Sequence, residues 1–253
     1  MGGQMNKKTT AVLAAMLITG LAGCGSSDSG SSAEDATATA TQSAPSLPSM
    51  VNGLPVKTLA DDGKGEYLQT TLDKNDPALE YNPSIVHPTA LELFSEEDIE
   101  AGQEFAMYFA AEEFMDSTLN GNPDDPDAME DWWEENGEYF HSDHAEEIHG
   151  VLDTAVIVIR GSLREPNDLT YGSDKGHVLS RSLVPDEIYG AVYQGDDLLG
   201  VSAEFEVEHA LVLDGTQTPD PVSGTVKLLL KQEDSGEWKI AGTNSMVVMK
   251  PVK

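Results

Sequence analysis

The clearest pattern of hydrophobic and polar positions lies between Gly200 and Asp214, where the two classes alternate residue by residue. An alternation of period two predicts a β-strand with one buried and one exposed face. Residues Val222 to Lys231 repeat the pattern, and another short alternation begins at Trp238. The predicted inward set of the first strand is Val201, Ala203, Phe205, Val207, Leu211 and Leu213, and the outward set is Ser202, Glu204, Glu206, Glu208 and Asp214.

Three further segments read as strands. Thr154 to Leu163 is β-branched and apolar on both faces, which is typical of a central strand. Val178 to Val184 and Glu187 to Tyr193 are shorter and are separated by Pro185. Turn-forming residues such as Glu233-Asp234-Ser235-Gly236 join consecutive strands. We therefore expect an antiparallel meander.

A long helix is predicted to begin after Ser95. The Ser95 side chain is a helix N-cap, and Asp98 three residues later completes a capping box. Asn120-Gly121-Asn122-Pro123 ends the pattern. At 100° per residue the apolar side chains cover nearly half of the circumference, so the helix should pack against a sheet. They are Ile99, Phe105, Ala106, Phe109, Ala110 and Phe114.

Two shorter helices are expected from about Pro126 to Glu135 and from about Ser142 to Leu152. Residues 95–253 therefore predict an α+β domain in which N-terminal helices pack on a curved antiparallel meander. Residues 51–94 have scattered apolar positions interrupted by four prolines, and we expect them to form an irregular arm packed on this domain.

The amino-terminal residues have a different character. Lys7 and Lys8 precede an apolar run from Thr10 to Ala22, which has the length of a signal peptide and is short for a membrane span. The run ends in Leu21-Ala22-Gly23-Cys24, and Cys24 is the single cysteine of the chain. Residues 25–50 are rich in Ser, Gly, Ala, Thr and Pro without apolar periodicity, so we expect a disordered tether.

The quartet ending at Cys24 resembles the lipobox of bacterial lipoproteins. The resemblance implies that residues 1–23 are a signal peptide and that the Cys24 thiol receives a diacylglycerol, as the first residue of the mature chain. The expected location is the extracytoplasmic face of the cell membrane, where acyl chains such as palmitate hold residues 24–50 and the domain beyond. A plain secretory signal with a leftover thiol is the alternative, and translation from Met5 would leave the signal intact.

The charge of the chain limits its partners. Removing Lys7 and Lys8 with the signal leaves 12 of the 14 basic residues against 45 acidic ones, a formal charge of −33. Such a surface repels nucleic acid and anionic headgroups and favours cations and basic partners. A saline habitat would account for the same bias.

Helices followed by a meander that ends in Gly236-Glu237-Trp238-Lys239-Ile240-Ala241-Gly242 resemble the nuclear transport factor 2-like fold, a cystatin-like α+β cone. The resemblance covers about Ser95 to Met249. It implies that the long helix lies across the concave face of the sheet and that the helices close one end of the cone. The family includes isomerases, dehydratases, secretion-system components and interaction domains, so the fold alone does not fix the function.

His209 is the candidate catalytic residue. It takes an inward position in the predicted strand, and in a cone that face lines the cavity, where an imidazole can act as acid or base. A hydrogen-bonded core histidine is the alternative. We expect no inward-facing acid beside it on the neighbouring strands, since Glu204, Glu206 and Glu208 face outward. The lack of such an acid counts against an isomerase or dehydratase.

Two segments are candidate metal sites. His141, His144 and Glu147 fall within seven residues, with His144 and Glu147 one helical turn apart. An oxygen-rich loop offers Asn122, Asp124 and Asp127 as further candidates. Its alternate oxygen donors at Asn120, Asn122 and Asp124, with Asp131 at the twelfth position, resemble a calcium loop, although Asp125 stands where such a loop has glycine. A solvated acidic helix explains the first segment, and a turn with a helix cap explains the second. We expect no cofactor other than calcium or a similar divalent cation.

All three arginines, Arg160, Arg164 and Arg181, lie within 22 residues of one another. Such a cluster could bind an anionic ligand or an acidic partner, or it could neutralise carboxylates of the domain itself.

These observations favour a membrane-anchored lipoprotein whose domain binds an envelope protein or a small ligand without catalysis. A cone-fold enzyme using His209 is one alternative, and a structural subunit of an envelope or secretion assembly is another.

Overall fold

The computed structural model describes residues 46–63, 65–120, 125–152, 156, 170–171, 176–213 and 215–249. Over these residues the chain is a mixed α+β structure with two antiparallel sheets and few helices. No helix within them combines the length and the apolarity that crossing a bilayer requires. The predicted signal peptide, most of the predicted tether, and the strand predicted at Thr154 to Leu163, apart from Val156, lie outside the described residues.

The first sheet is built from β1 (Met50–Val51), β2 (Leu54–Asp61) and β3 (Glu66–Thr70), in that order and antiparallel. The prediction of an irregular arm at residues 51–94 is wrong in this part. The strand was not predicted because prolines usually interrupt strands. Pro55 lies near the start of β2, where β2 pairs with the two-residue β1, and at that position a proline disturbs the pairing little.

Helical turns follow the small sheet. Two 3₁₀ helices, Pro77–Leu79 and Pro83–Ile85, precede α1 (Pro88–Leu93). Each begins with a proline, and the side chain just before that proline accepts a backbone hydrogen bond from within the turn. Proline suits the first helical position because its fixed φ matches the helix. An N–H group at that position would have no acceptor within the helix, so its absence in proline costs nothing. The prolines that seemed to interrupt the segment therefore start its helices.

The long helix α2 (Glu96–Phe109) begins as predicted, with both hydrogen bonds of the Ser95–Asp98 capping box present. It continues into a π-helical segment, Ala110–Met115, in which every residue is buried. After it come α3 (Pro126–Asn136), a 3₁₀ turn (Gly137–Tyr139) and α4 (Ala145–His149), which is shorter than predicted.

The main sheet contains β4 (Thr170–Tyr171), β5 (Val178–Tyr193), β6 (Asp196–Leu213), β7 (Thr216–Gln232) and β8 (Trp238–Met249). β4 and β5 both pair with β6, which pairs with β7, which pairs with β8, all antiparallel. The predicted meander is confirmed. The two strands predicted around Pro185 are one strand, with an irregularity between Pro185 and Glu187.

The alternation along β6 is confirmed except at Ser202. The predicted inward side chains from Val201 to Leu211 are at most 2% exposed, and Glu204 and Glu206 are exposed, but Ser202, which was predicted to face outward, is buried. The inward face packs under α2, and Gly102 marks the point of closest approach. A β-carbon at Gly102 would lie 2.5 Å from Leu199 Cδ2 and 3.2 Å from a ring carbon of Trp238. A glycine is needed there because no larger residue leaves room for the sheet.

Candidate functional site

One concave feature among the described residues is a groove between the β2–β3 hairpin and α3. It consists of two adjoining hollows of about 400 and 500 Å³ that share Asp61, Thr118 and Glu135. We call it the acidic groove. Besides Glu113, the carboxylates that line it are Asp61, Asp62, Asp125, Asp127, Asp131 and Glu135.

The α3 wall follows from sequence spacing. Asp127, Asp131 and Glu135 are four residues apart and therefore lie on one face of the helix. Like charges at this spacing destabilise a helix by about 0.2–0.5 kcal/mol per pair. Asp125 caps the helix by accepting from the amide of Asp127 at 3.0 Å. The first carboxylates suit the positive helix end, but Glu135 in the last turn does not.

The hairpin wall is shaped by the turn between β2 and β3. An Asp61 carboxylate oxygen accepts from the Gly63 amide at 2.8 Å, and an Asp62 oxygen accepts from the Gly65 amide at 3.1 Å. Gly63 has a φ of 77° and Gly65 a φ of 156°, both in the region that favours glycine. The turn therefore holds two carboxylates beside α3.

An ion triad of one partly exposed lysine and two buried glutamates closes one end of the groove. The pairing of β2 with β3 shifts between Val56 and Thr58, and this bulge sits at Lys57. Lys57 Nζ lies 2.6 Å from Glu113 Oε1 and 2.8 Å from Glu112 Oε2. Both glutamates belong to the π-helical segment, and Thr71 Oγ1 also donates to Glu112. Two buried carboxylates thus share one ammonium group.

Burial and charge act on this triad in opposite directions. Burial lowers the pKa of Lys57, but the carboxylates of Glu113 and Glu112 outweigh it, so the pKa is raised above its ordinary value. Burial raises the pKa of Glu113 above its ordinary value of 4.5, although Lys57 opposes the shift. Burial likewise raises the pKa of Tyr139, which neighbours Lys57. Lys57 therefore stays protonated, and burial makes the Glu113 carboxyl harder to ionise than in water.

Behind the groove lies a fully buried polar cluster, made of Tyr67, Gln69, Thr70, Asp116, His177 and His209. Gln69 connects the two, since it borders the groove and its Nε2 donates to the carbonyls of Glu112 and Asp116. One Asp116 oxygen accepts from the amide and the hydroxyl of Thr70, at 2.7 and 2.9 Å. The other lies 3.0 Å from His177 Nδ1.

His209 belongs to this cluster and has no exposed surface. Its Nε2 lies 2.7 Å from the Met115 carbonyl oxygen, and because a carbonyl only accepts, this nitrogen carries the proton. Its ring meets that of His177 edge to face, with centroids 5.6 Å apart.

The expectation that no acid faces inward beside His209 is wrong. Asp220 pairs with His209 across β6 and β7 and is fully buried, and Asp116 approaches from the helix side through His177. Asp220 escaped notice because it lies between Pro219 and Pro221, which read as a turn. The side chains required for proton transfer are present, but no substrate reaches them in this conformation, because all are at most 1% exposed.

The residues proposed as a histidine metal site are dispersed. His141 is buried and accepts from the Asp143 amide, its ring centroid lies 5.9 Å from that of His144, and Glu147 points to solvent. Within the described ranges, no three His, Cys, Asp or Glu side chains are grouped so that they could hold a metal ion. Asp127 lies in the acidic groove, whereas Asn122 and Asp124 lie outside the described residues.

Arg181 is engaged with the small sheet. Its guanidinium donates to the Thr71 carbonyl at 2.6 Å and to the Thr70 hydroxyl at 3.4 Å. Burial lowers its pKa, and Asp116 opposes that shift. Arg160, Arg164 and Cys24 lie outside the described residues.

Sequence reasoning missed the Lys57–Glu112–Glu113 triad and the acids at Asp61 and Asp62. One signal was available, because Glu112 and Glu113 stand between the apolar pairs Ala110-Ala111 and Phe114-Met115, in a helix with a wide apolar stripe. Charged residues so placed are buried only when paired.

Comparison of the chain with protein-family models, with curated proteins and with solved structures finds no match.

Proposed function

We propose that this protein is a lipid-anchored extracytoplasmic lipoprotein whose α+β domain binds a cationic ligand or partner in the acidic groove without performing catalysis. The proposal of an anchor rests on the resemblance of Leu21-Ala22-Gly23-Cys24 to a lipobox. The Ser- and Gly-rich segment after Cys24 would be the tether between the anchor and the domain. Twenty-six residues of such composition span roughly 28 Å on average. We also propose a nuclear transport factor 2-like cone, supported by α2 lying on the meander.

The observation that carries the binding function is the acidic groove. Six carboxylates from two separate elements border it, and the basic residue among the described groove residues, Lys57, is neutralised by Glu112 and Glu113. Facing acids repel one another unless a cation lies between them, and concave walls strengthen the field. A positively charged ligand would relieve that repulsion.

The absence of catalysis is supported by the position of His209. General acid–base work requires the imidazole within hydrogen-bond reach of a substrate. His209 has no exposed surface, and one of its nitrogens already donates to Met115. The arrangement suits a structural histidine.

The anchor is tested by mass spectrometry of the protein purified from membranes. The expected mature chain begins at Cys24 with diacylglycerol on its thiol, and a Cys24→Ser variant should stay uncut. An unmodified thiol, or an uncut wild-type chain in the soluble fraction, would contradict the anchor.

The groove is tested by thermal unfolding of the full chain in detergent, titrated with spermidine or with CaCl₂. Binding raises the midpoint by mass action, by about 2.7 kcal/mol of stability at a ligand concentration of 100 Kd. The rise should disappear in Asp127→Asn/Asp131→Asn and persist in Glu204→Gln/Glu206→Gln, which removes two charges from the exposed face of β6. Equal behaviour of the two double variants would contradict a groove site.

One observation favours a second candidate, a subunit of an envelope assembly. Val184, Met246 and Val248 are 55%, 62% and 51% exposed on β5 and β8, and the first two border a shallow depression in the sheet. A Val184→Cys variant labelled with a maleimide–benzophenone and irradiated in intact membranes should give a crosslinked species if this face is an interface, because the excited benzophenone inserts into C–H bonds of whatever lies against it. A monomeric band alone would contradict it.

A further inference from the structure

Among the described residues, the edge of β2 that faces the acidic groove has backbone groups outside any strand pairing. β2 pairs with β3 from Val56 to Asp61, but β1 covers only Leu54 and Pro55 on its other side. No described strand pairs with Lys57 to Asp61 on that side, and all five residues in succession border the groove. A strand that lines a hollow with consecutive residues presents its edge to it. Such an edge is a template for an added strand.

The surroundings of this edge select the charge of what is added. Asp61 and Glu135 stand at the two sides of the hollow that contains the edge, and Asp127 and Asp131 continue along α3. β8 also lies at a sheet edge, but Phe140 and His141 pair with its Ile240, and β8 carries no acidic residue. The electrostatics therefore favour a basic segment on β2.

A further polar group in the groove lacks a partner. Trp132 borders the groove and is 2% exposed, and its indole Nε1 has no hydrogen-bond acceptor in the described structure. A buried donor without an acceptor is unfavourable. A metal ion or a polyamine offers no acceptor to an N–H group, whereas a peptide offers its carbonyl oxygens.

We infer that an extended, lysine- or arginine-rich segment of a partner protein adds to the free edge of β2 as a further strand. Its main chain bonds to the backbone from Lys57 to Asp61, and its cationic side chains lie among Asp61, Asp131 and Glu135. The Trp132 indole, which is buried in the groove wall, turns toward the added strand so that its Nε1 donates to a carbonyl of the peptide. Backbone pairing supplies affinity and the acidic walls supply specificity. The inference rests on the proposed cation-binding groove and names the class of its partner.

The test uses the full chain in detergent and an eight-residue alternating lysine–threonine peptide as the probe, with binding followed by calorimetry. Two methylated probes carry N-methyl groups on all lysine amides or on all threonine amides, which leaves the charge unchanged. In a strand the amides of alternate residues point to opposite edges. Strand addition therefore predicts that one methylated probe loses at least tenfold in affinity while the other binds like the parent.

Protein variants separate the contribution of the acidic groove walls to binding from that of the β2 edge. Asp127→Asn/Asp131→Asn should weaken the parent probe at least tenfold, and the matched Glu204→Gln/Glu206→Gln should not. Trp132→Phe, which removes the indole N–H and keeps an aromatic ring, should weaken it severalfold with an unchanged unfolding midpoint. An alternating glutamate–threonine probe should not bind.

Three results would overturn the inference. Equal affinity of the parent and both methylated probes would show that the peptide binds through its charge alone, without backbone pairing. Displacement of the probe by equimolar CaCl₂ would assign the groove to a metal, and sedimentation of the unliganded chain as a dimer that the probe dissociates would assign the edge to a second copy. Spermidine binding without peptide binding would remove this inference and leave the proposed function intact, whereas an unmodified Cys24 would remove the anchor and leave the peptide result standing.

Discussion

His177 and Asp116 form a hydrogen-bonded contact in which neither side chain exceeds 1% exposure, with 3.0 Å between Nδ1 and Oδ1. The pair joins the segment before β5 to the end of the long helix. Thr70 from β3 bonds to the same carboxylate, so Asp116 holds together three parts of the fold that are far apart in sequence. Removing one member of such a buried polar network leaves the other members without their partner, which is strongly destabilising.

Truncating Asp116 should therefore destabilise the protein severely. Asp116→Ala leaves His177 and the amide and hydroxyl of Thr70 without their acceptor, and we expect a loss of about 3–5 kcal/mol in the free energy of unfolding. Urea titration followed by circular dichroism measures it. Asp127→Ala, which removes an exposed carboxylate, is the control and should change stability by about 0.5 kcal/mol or less. Similar losses in both variants would contradict a special role of the cluster.

Adding one methyl group at Gly102 should also destabilise the fold. Alanine favours a helix over glycine by about 1 kcal/mol, but here its β-carbon would lie 2.5 Å from Leu199 Cδ2. Overpacking of a core costs about 1–3 kcal/mol, so the net effect of Gly102→Ala is a loss. Thermal unfolding measures it, with Glu104→Ala on the exposed face of the same helix as the control. A higher midpoint for Gly102→Ala would show that α2 is free to move off the sheet.

Glu113 should give the stability a recognisable pH dependence. Burial raises its pKa in the folded state above 4.5, so on raising the pH the unfolded chain ionises first. Ionisation of the unfolded chain favours unfolding, and the contribution of Glu113 to stability falls as the pH rises through 4.5 toward its raised value. Glu113→Gln lacks this contribution. Urea titrations at pH 4 and pH 7 should show the wild type losing stability relative to the variant.

Glu204→Gln, on the exposed face of β6, corrects this comparison for the loss of one negative charge. The expected sign would be reversed if the wild type gained unfolding free energy relative to Glu113→Gln as the pH rises. It would mean that the pairing with Lys57 outweighs burial.

Salt should stabilise the chain. A formal net charge of −31 makes the folded state repel itself, and the Debye length falls from about 30 Å at 0.01 M to about 3 Å at 1 M salt. The unfolding midpoint should rise with NaCl, by about 2–4 °C for each kcal/mol gained. Tetramethylammonium chloride gives the same screening with a bulky cation. Equal rises in the two salts indicate screening, whereas a larger rise in NaCl indicates a cation site and would contradict pure screening.

Local patterns predicted the elements whose signals are local. The Ser95–Asp98 capping box lies within four residues, and the alternation along β6 is read from neighbours. β7 was predicted to start at Val222, but it starts at Thr216. Among the described residues β8 pairs with β7 only from Val222 onward, and Pro219 and Pro221 lie in the part of β7 before that pairing, where a residue without an amide hydrogen is tolerated.

Only the α3 side of the acidic groove could be predicted from the sequence. Asp127, Asp131 and Glu135 share a helix face by spacing alone, but nothing in their neighbourhood indicates that Asp61 lies across from them. That contact joins parts of the chain some seventy residues apart, and it depends on a strand that Pro55 concealed. The same holds for Lys57 and Glu113, which are 56 residues apart. Residues that meet through the tertiary fold leave no periodic signal.

The π-helical segment makes the length of the chain between Phe109 and Asp116 critical. Deleting one residue from Ala110–Met115 would turn everything after the cut by about 100° about the helix axis. Glu112 and Glu113 would leave Lys57, and Asp116 would leave His177, in a single step. A change of length in this turn therefore breaks contacts to two other parts of the fold at once, those of Glu112 and Glu113 with Lys57 and that of Asp116 with His177.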